Sequence, residues 1–379
     1  MKIAFIYDAA YPWVKGGAEK RIYELASRLA ARDHEVHLYS MGWWWAEQGK
    51  KDTELDGIKL HGVMNPVELY KDDRRSIKEA LYFAWMILFK LRAGKYDVID
   101  CQGFPFFSCY SAKLNTVLGR STLVITLHEV WNDYWYQYLG KAGFFGKLTE
   151  KLMVKLSSHI ITVSSKTKKD LGRIKPSENA VIIPNGIDLE EIDVIKPSEN
   201  NTDIIFVGRL IKEKNTDLLL KSLVEVKKIY PIIKCTIIGE GPEKEQLEIL
   251  AAELGLEKNV EFLGFIENYE DVIAHMKSSR VLVLPSSREG FGMVVLEANA
   301  CGVPVVVVDH PMNAAKDLIN PGKNGFITEL TEESLSKKII EGLNSGKEIS
   351  DKCKEFAEDY DWNKIIKQLE ITYWEFLLK

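Results

Sequence analysis

Two glutamates eight residues apart, Glu289 and Glu297, bracket a glycine pair in the run Arg288-Glu289-Gly290-Phe291-Gly292-Met293-Val294-Val-Leu-Glu297. The run follows an apolar stretch, Val281–Leu284, and leads into a helical pattern that ends at Cys301-Gly302-Val303-Pro304. In a parallel sheet, ligands bind where a strand's carboxyl end meets a helix N-terminus, because free amides and the helix dipole favour an anion. A carboxylate accepts hydrogen bonds from adjacent hydroxyls, so two of them suit a sugar ring and a ribose. A capped helix with incidental surface acids fits the spacing equally well.

A second constellation follows the run Ile204–Val207 and contains Gly208, Arg209, Glu213, Lys214, Asn215 and Asp217. Arg209 and Lys214 are expected in an exposed loop aimed at the same crevice. Cations there would neutralise a diphosphate leaving group; the alternative is ordinary solvated charge. Gly239-Glu240-Gly241-Pro242 follows a further strand, and its glycines would let a ligand approach the backbone. In the first half Lys15-Gly16-Gly17-Ala18-Glu19 opens the first helix and offers another anion site. It lacks GxGxxG spacing, which argues against a dinucleotide-binding fold. His128, at the end of the strand Leu123–Leu127, points toward the crevice, although a lone histidine is more often structural.

These loops need strands to carry them. Unalternated apolar runs at Ile3–Tyr7, Val36–Ser40, Val98–Cys101, Leu123–Leu127 and Ile160–Val163 are separated by helix-period segments such as 19–32. The same alternation restarts at Ile204–Val207 and continues through Cys235–Ile238, Val260–Leu263, Val281–Leu284 and Pro304–Val308. Such patterning predicts parallel sheets covered on both faces. The reading is α/β with two Rossmann-like domains, 1–183 and 184–358, and a last helix at 359–379. In that helix Trp362, Ile365, Ile366, Leu369, Trp374 and Phe376 recur at helical spacing.

A chain of 379 residues, 46% hydrophobic and 28% charged, is long enough for two cores. Five cysteines without a CxxC pair and seven scattered histidines speak against a disulfide framework and a zinc site. The longest uncharged apolar run, Ala80 to Phe89, is ten residues, too short to span a bilayer. The N-terminus reads as a strand, not a signal peptide, so a cytoplasmic location is expected. The net charge of −5 is split, the first half basic and the second acidic. Three aromatic–basic stretches mark the basic half: Trp43-Trp44-Trp45, Leu81 to Arg92, and Trp131 to Lys155. They are either core aromatics beside solvated lysines or a face that touches the anionic inner leaflet to reach a lipid-borne acceptor.

Together, in order, these segments resemble the GT-B glycosyltransferases of family GT4, the retaining nucleotide-sugar group. The resemblance covers nearly the whole chain and includes Thr162-Val-Ser164 and Pro184-Asn-Gly-Ile-Asp188; its most specific part is the Glu289-x7-Glu297 pair. It implies two domains facing across a cleft, the acceptor on the first and the donor on the second, with the C-terminal helix crossing back to the first. By position, Arg209 and Lys214 match the grip on the donor diphosphate. Glu289 matches the acid on donor-sugar hydroxyls, and Glu297 the acid on the ribose. The backbone from Gly290 through Phe291, Gly292, Met293 and Val294 matches the segment meeting sugar and phosphate. Gly16 and Gly17 match the glycine loop beside the phosphate, joined by Gly208, Gly239 and Gly241. His128 matches the histidine near the sugar, and Gly264-Phe265-Ile266 the segment that meets the base.

The resemblance implies a UDP- or GDP-sugar donor and an acceptor hydroxyl on a glycan, a lipid-linked sugar or a small molecule; no cofactor, no metal and no nucleic acid are expected. No Asp-x-Asp metal motif lies in the crevice loops. Two positions depart from the family pattern, Asn215 and Asp33, each standing where glycine is usual; asparagine tolerates a left-handed backbone. The rival readings are a sugar-nucleotide epimerase on the same fold and a non-catalytic sugar-nucleotide-binding protein.

Overall fold

The computed structural model describes the chain apart from residues 72–73, 92–94, 118 and 379, so Arg92 and Lys379 lie outside the described residues. The chain forms two compact units, Met1–Asn185 with Trp362–Lys379, and Gly186–Asp361.

The first unit is built on eight strands: β1 (Lys2–Ile6), β2 (Glu35–Ser40), β3 (Asp52–Leu55), β4 (Ile58–Gly62), β5 (Val98–Gln102), β6 (Thr122–Leu127), β7 (His159–Thr162) and β8 (Val181–Ile182). Their order is β8-β7-β6-β5-β1-β2-β4-β3, and every pairing is parallel except β3 against β4. The central strands are buried along their length because helices cover both faces. Helix Gly17–Ala30 turns Ile22, Leu25, Ala26 and Leu29 inward.

The C-terminal helix, Trp362–Leu377, packs against helix Gly17–Ala30. Trp362, Ile366, Leu369, Tyr373 and Phe376 recur every three or four residues, and all are buried. Trp374 differs from its expected place: it is 51% exposed, because one residue turns a helix about 100° and Tyr373 holds the inward position. For the tryptophan triad the first of its two readings, core, is the one that holds. Trp44 is fully buried, Trp43 Nε1 donates to the Asp8 carbonyl at 2.8 Å, and Trp45 Nε1 donates to the Lys51 carbonyl at 3.2 Å. The packing of these rings makes the stretch core, although the buried Trp44 Nε1 has no hydrogen-bond partner.

The main sheet of the second unit has six strands: β9 (Ile204–Val207), β10 (Cys235–Ile238), β11 (Val260–Gly264), β12 (Val281–Leu284), β13 (Val305–Val308) and β14 (Gly325–Thr328). They are all parallel, in the order β11-β10-β9-β12-β13-β14. Asn215 has φ of 47° and Asp33 has φ of 63°, so both departures from glycine adopt the left-handed conformation that glycine would supply. Among the described residues no helix is long and apolar enough to cross a membrane.

Candidate functional site

In the second unit the carboxyl ends of β9, β10 and β11 are tied together by backbone. Gly208 N donates to the Ile238 carbonyl at 3.0 Å, and Gly239 N donates to the Gly264 carbonyl at 2.8 Å. Gly239 has φ of 146°, and a Cβ there would stand 1.9 Å from the Gly208 oxygen. A Cβ on Gly241 would stand 2.3 Å from the Leu210 oxygen. Only glycine allows this contact of loop on loop.

Lys214 ends a short turn, Lys212–Lys214, and its Nζ lies 2.5 Å from Glu289 Oε1. The side chains are 18% and 13% exposed, so this lysine is not the solvated loop residue expected from sequence; Arg209 is exposed. Asn215, which the sequence marked only as a departure, joins the two loops. Its Nδ2 donates to the Pro285 carbonyl at 2.9 Å, and Ser287 N donates to the Glu213 carbonyl at 2.9 Å. The pair is therefore held by backbone on both sides. An ammonium has three donors, so Lys214 can bond Glu289 and still meet a second anion.

Gly292, at φ 99°, precedes helix Met293–Ala300, and a Cβ there would lie 2.6 Å from Ala315 Cβ. No side chain caps this helix, which leaves its first-turn amides, at Met293 and Val294, facing outward from the helix start. Gly290 is half-buried and Phe291 buried against Tyr360, with ring centroids 6.3 Å apart. Glu297 accepts a hydrogen bond from the Tyr269 hydroxyl, whose pKa is pushed up by burial and then by Glu297. Nothing in the motif pattern signalled Tyr269. After β11, Phe265 is exposed and Ile266 half-buried.

In the first unit Gly16 precedes helix Gly17–Ala30, and Glu19 folds back so that its Oε2 lies 2.3 Å from where a Gly16 Cβ would be. Burial raises the Glu19 pKa, opposed by a backbone hydrogen bond at the helix start. His128 Nε2 lies 2.8 Å from Gln102 Oε1. Gln102 Nε2 donates to Asp100 Oδ1 at 3.1 Å, so Oε1 accepts, and His128 carries its proton on Nε2. Burial, with the charge of Arg21 adding to it, lowers the His128 pKa to about 3, so the imidazole is neutral near pH 7. Asp100 also accepts from Thr126 Oγ1 at 2.7 Å and from the Tyr373 hydroxyl of the C-terminal helix at 2.6 Å. Asp100, Gln102 and Tyr373 were not singled out from sequence. The one available signal was a pair of polar residues in an otherwise apolar buried strand.

Arg21 is buried and donates to the Ile183 carbonyl at 2.8 Å, the Pro184 carbonyl at 2.6 Å and Asn185 Oδ1 at 2.8 Å. Just beyond β1, Asp8 is paired with Arg75, whose Nε lies 3.7 Å from Glu79 Oε2. Burial and the neighbouring Asp8 push the Glu79 carboxyl up to about 8. Among the described residues no group of three or more His, Cys, Asp or Glu side chains is placed to hold a metal ion.

The family model described as Glycosyltransferase Family 4 matches residues 15–191, and that described as Glycosyl transferases group 1 matches residues 188–360. An uncharacterized glycosyltransferase of Haemophilus influenzae is 31% identical over 93% of this chain and 95% of its own length. The alpha-monoglucosyldiacylglycerol synthase of Acholeplasma laidlawii is 28% identical over 90% of this chain and 87% of its own length. Among solved structures, Anabaena HepE in complex with UDP superimposes with a TM-score of 0.76 at 21% identity, covering 99% of this chain and 100% of that one.

Proposed function

This chain belongs to family 4 of the GT-B glycosyltransferases, and from that membership we propose that it transfers a sugar from a UDP- or GDP-sugar to a lipid-borne acceptor hydroxyl with retention of configuration. The observation that carries the reading is the Lys214–Glu289 pair at 2.5 Å, set by the loops after two adjacent parallel strands beside a glycine-opened helix. A bound diphosphate there meets Arg209, Lys214 and the amides near Gly292, while Glu289 accepts sugar hydroxyls and Glu297 the ribose. The sugar–phosphate bond breaks as the departing diphosphate gains these charge-assisted hydrogen bonds. The acceptor hydroxyl attacks the same face, and its proton passes to a donor phosphate oxygen. No nucleophile and no divalent ion enter this scheme. The UDP held by HepE supports a nucleotide donor.

The lipid acceptor is supported by two helices of the first unit. Helix Ile77–Lys90 leaves Ile77, Leu81, Tyr82, Trp85 and Phe89 exposed, and helix Gly143–Met153 leaves Phe144, Phe145, Leu148 and Leu152 exposed. Their two acids, Glu79 and Glu150, are buried, so the outward charges of these helices are Lys78, Lys90, Lys147 and Lys151, of which Lys147 is paired with Asp133 at 2.6 Å. An apolar face bordered by cations is what an interfacial helix presents, and each lysine near an anionic surface contributes about 1 kcal/mol. The name of the Acholeplasma relative, a glucosyldiacylglycerol synthase, points the same way.

The test is turnover of the purified chain with a panel of UDP- and GDP-sugars in the presence of EDTA, with the product's anomeric proton coupling read by NMR. Retained configuration and undiminished rate are expected. An inverted linkage overturns the mechanism, and a loss with EDTA that magnesium restores assigns the diphosphate to a metal.

A further inference from the structure

The first unit holds a cavity of about 320 Å³ that none of the steps above uses. The rings of Phe104, Phe106, Phe107, Trp135, Tyr138 and Phe145 form its wall. The volume is that of a small-molecule site, and such sites usually combine an apolar wall with a few polar groups that orient the ligand. Here most polar lining groups are already engaged, while Trp135 Nε1 is buried without a hydrogen-bond partner. Arg75 is held by Asp8 and Glu79, and its amide donates to the Tyr138 hydroxyl at 2.8 Å. Ser76 Oγ accepts from the Glu79 amide at 3.3 Å, and Thr149 Oγ1 donates to the Phe145 carbonyl at 2.8 Å. A sugar, a nucleotide or a peptide needs many hydrogen bonds, would find few here and would lose those it makes to water. A hydrocarbon chain loses nothing and gains burial.

The surroundings say where such a chain comes from and where it leads. Ile77 and Phe145 line the cavity and also belong to the two exposed apolar helix faces, so the opening lies within the lysine-bordered surface. On the other side Phe104 stacks near Trp131 at 5.2 Å, and Trp131 Nε1 donates to Glu129 Oε2 at 2.7 Å, one residue from His128. The wall thus runs from the cationic apolar face to the polar end of β6.

We propose that this cavity receives the apolar chain of the acceptor lipid, one acyl or prenyl chain per protein molecule, and so sets the headgroup beside Glu129 and His128. The assignment rests on the lipid acceptor proposed above. The probe is 11-(dansylamino)undecanoic acid, used below its micellar concentration with the full chain and no vesicles. One saturable site with blue-shifted emission is expected. Ala142→Trp, at an exposed lining position, and Thr149→Phe should each weaken it at least tenfold while far-UV circular dichroism and melting temperature stay near wild type. Both variants should still co-sediment with phosphatidylglycerol vesicles. Lys147→Gln/Lys151→Gln/Lys155→Gln should show the reverse, keeping the probe and losing the vesicles at low salt. Absence of saturable binding, or binding that both cavity variants leave unchanged, overturns the assignment. A wild-type protein that binds the probe in this cavity-dependent way but ignores vesicles upholds the cavity and removes the membrane surface. A dimer by light scattering that Ala142→Trp dissolves assigns the cavity to a second copy of the chain and overturns the lipid.

Discussion

The strand ends of the two units solve different problems with different materials. In the second unit Lys214 faces Glu289 across loops whose glycines touch backbone to backbone, so charge is held by main chain that cannot easily move. In the first unit His128 is neutral and is oriented by side chains alone, through Gln102, Asp100 and Tyr373. Fixed charge suits a group that becomes more anionic as it leaves. A neutral relay suits hydroxyls, which have to be oriented and not ionised. The contrast teaches that one fold can stiffen one strand edge through its backbone and the other through a buried side-chain network.

The sharpest break in the contrast is Lys214→Ala. Removing the cation should lower kcat roughly 10²-fold or more, by analogy with a lost oxyanion donor. Because the loop is fixed by Asn215 and Ser287, its melting temperature should fall by only a few degrees. Steady-state turnover beside a thermal melt reads both, and near wild-type turnover would remove Lys214 from the chemistry.

Tyr373→Phe attacks the other side. It deletes one hydroxyl donor to a buried carboxylate, which should cost about 1–3 kcal/mol in urea unfolding. Turnover should fall several-fold with the donor KM unchanged, since the second unit is untouched. A change in donor KM equal to the change in kcat would mean that the relay does not act through His128.

The smallest effect is a pH dependence. The Glu79 carboxyl titrates near 8 in the fold against an ordinary 4.5, so the folded state binds this proton more tightly than the unfolded chain. That stabilisation is complete below about 4.5 and is lost as pH rises through 8. Wild-type melting temperature should therefore decline from pH 5 to pH 8, and Glu79→Gln should flatten the decline. An unchanged slope would place the proton elsewhere in the Asp8–Arg75 cluster.

Much of the fold was legible because parallel strands are apolar on both faces. Ile204–Val207, Cys235–Ile238 and Val281–Leu284 run over the residues their patterns mark. The strands that escaped are those where that rule fails. Asp52–Leu55 is a polar edge strand with one partner, and Gly325–Thr328 opens on a glycine where a Cβ would stand 2.3 Å from the Val305 oxygen. The Trp43–Trp45 stretch stayed open between two readings because composition does not tell an indole in the core from one at a surface. At the candidate site the motif residues were visible as types and spacing. Their supports were not: Tyr269 lies 28 positions before Glu297, and Tyr373 reaches Asp100 across 273 positions of chain. Local pattern carries no record of such pairs.

For the proposed site of this enzyme, with His128 beside the sugar, the proton on His128 Nε2 has a consequence for what is discriminated. With that nitrogen committed to Gln102, Nδ1 is left as a lone pair and can only accept. Whatever approaches it has to bring a hydrogen of its own, as a hydroxyl does and a phosphate oxygen or an ether does not. A site built in this way rejects an analogue by what that analogue lacks. A deoxy sugar of unchanged shape would fill the space and leave an acceptor unanswered, and selectivity of that kind is far steeper than selectivity by size.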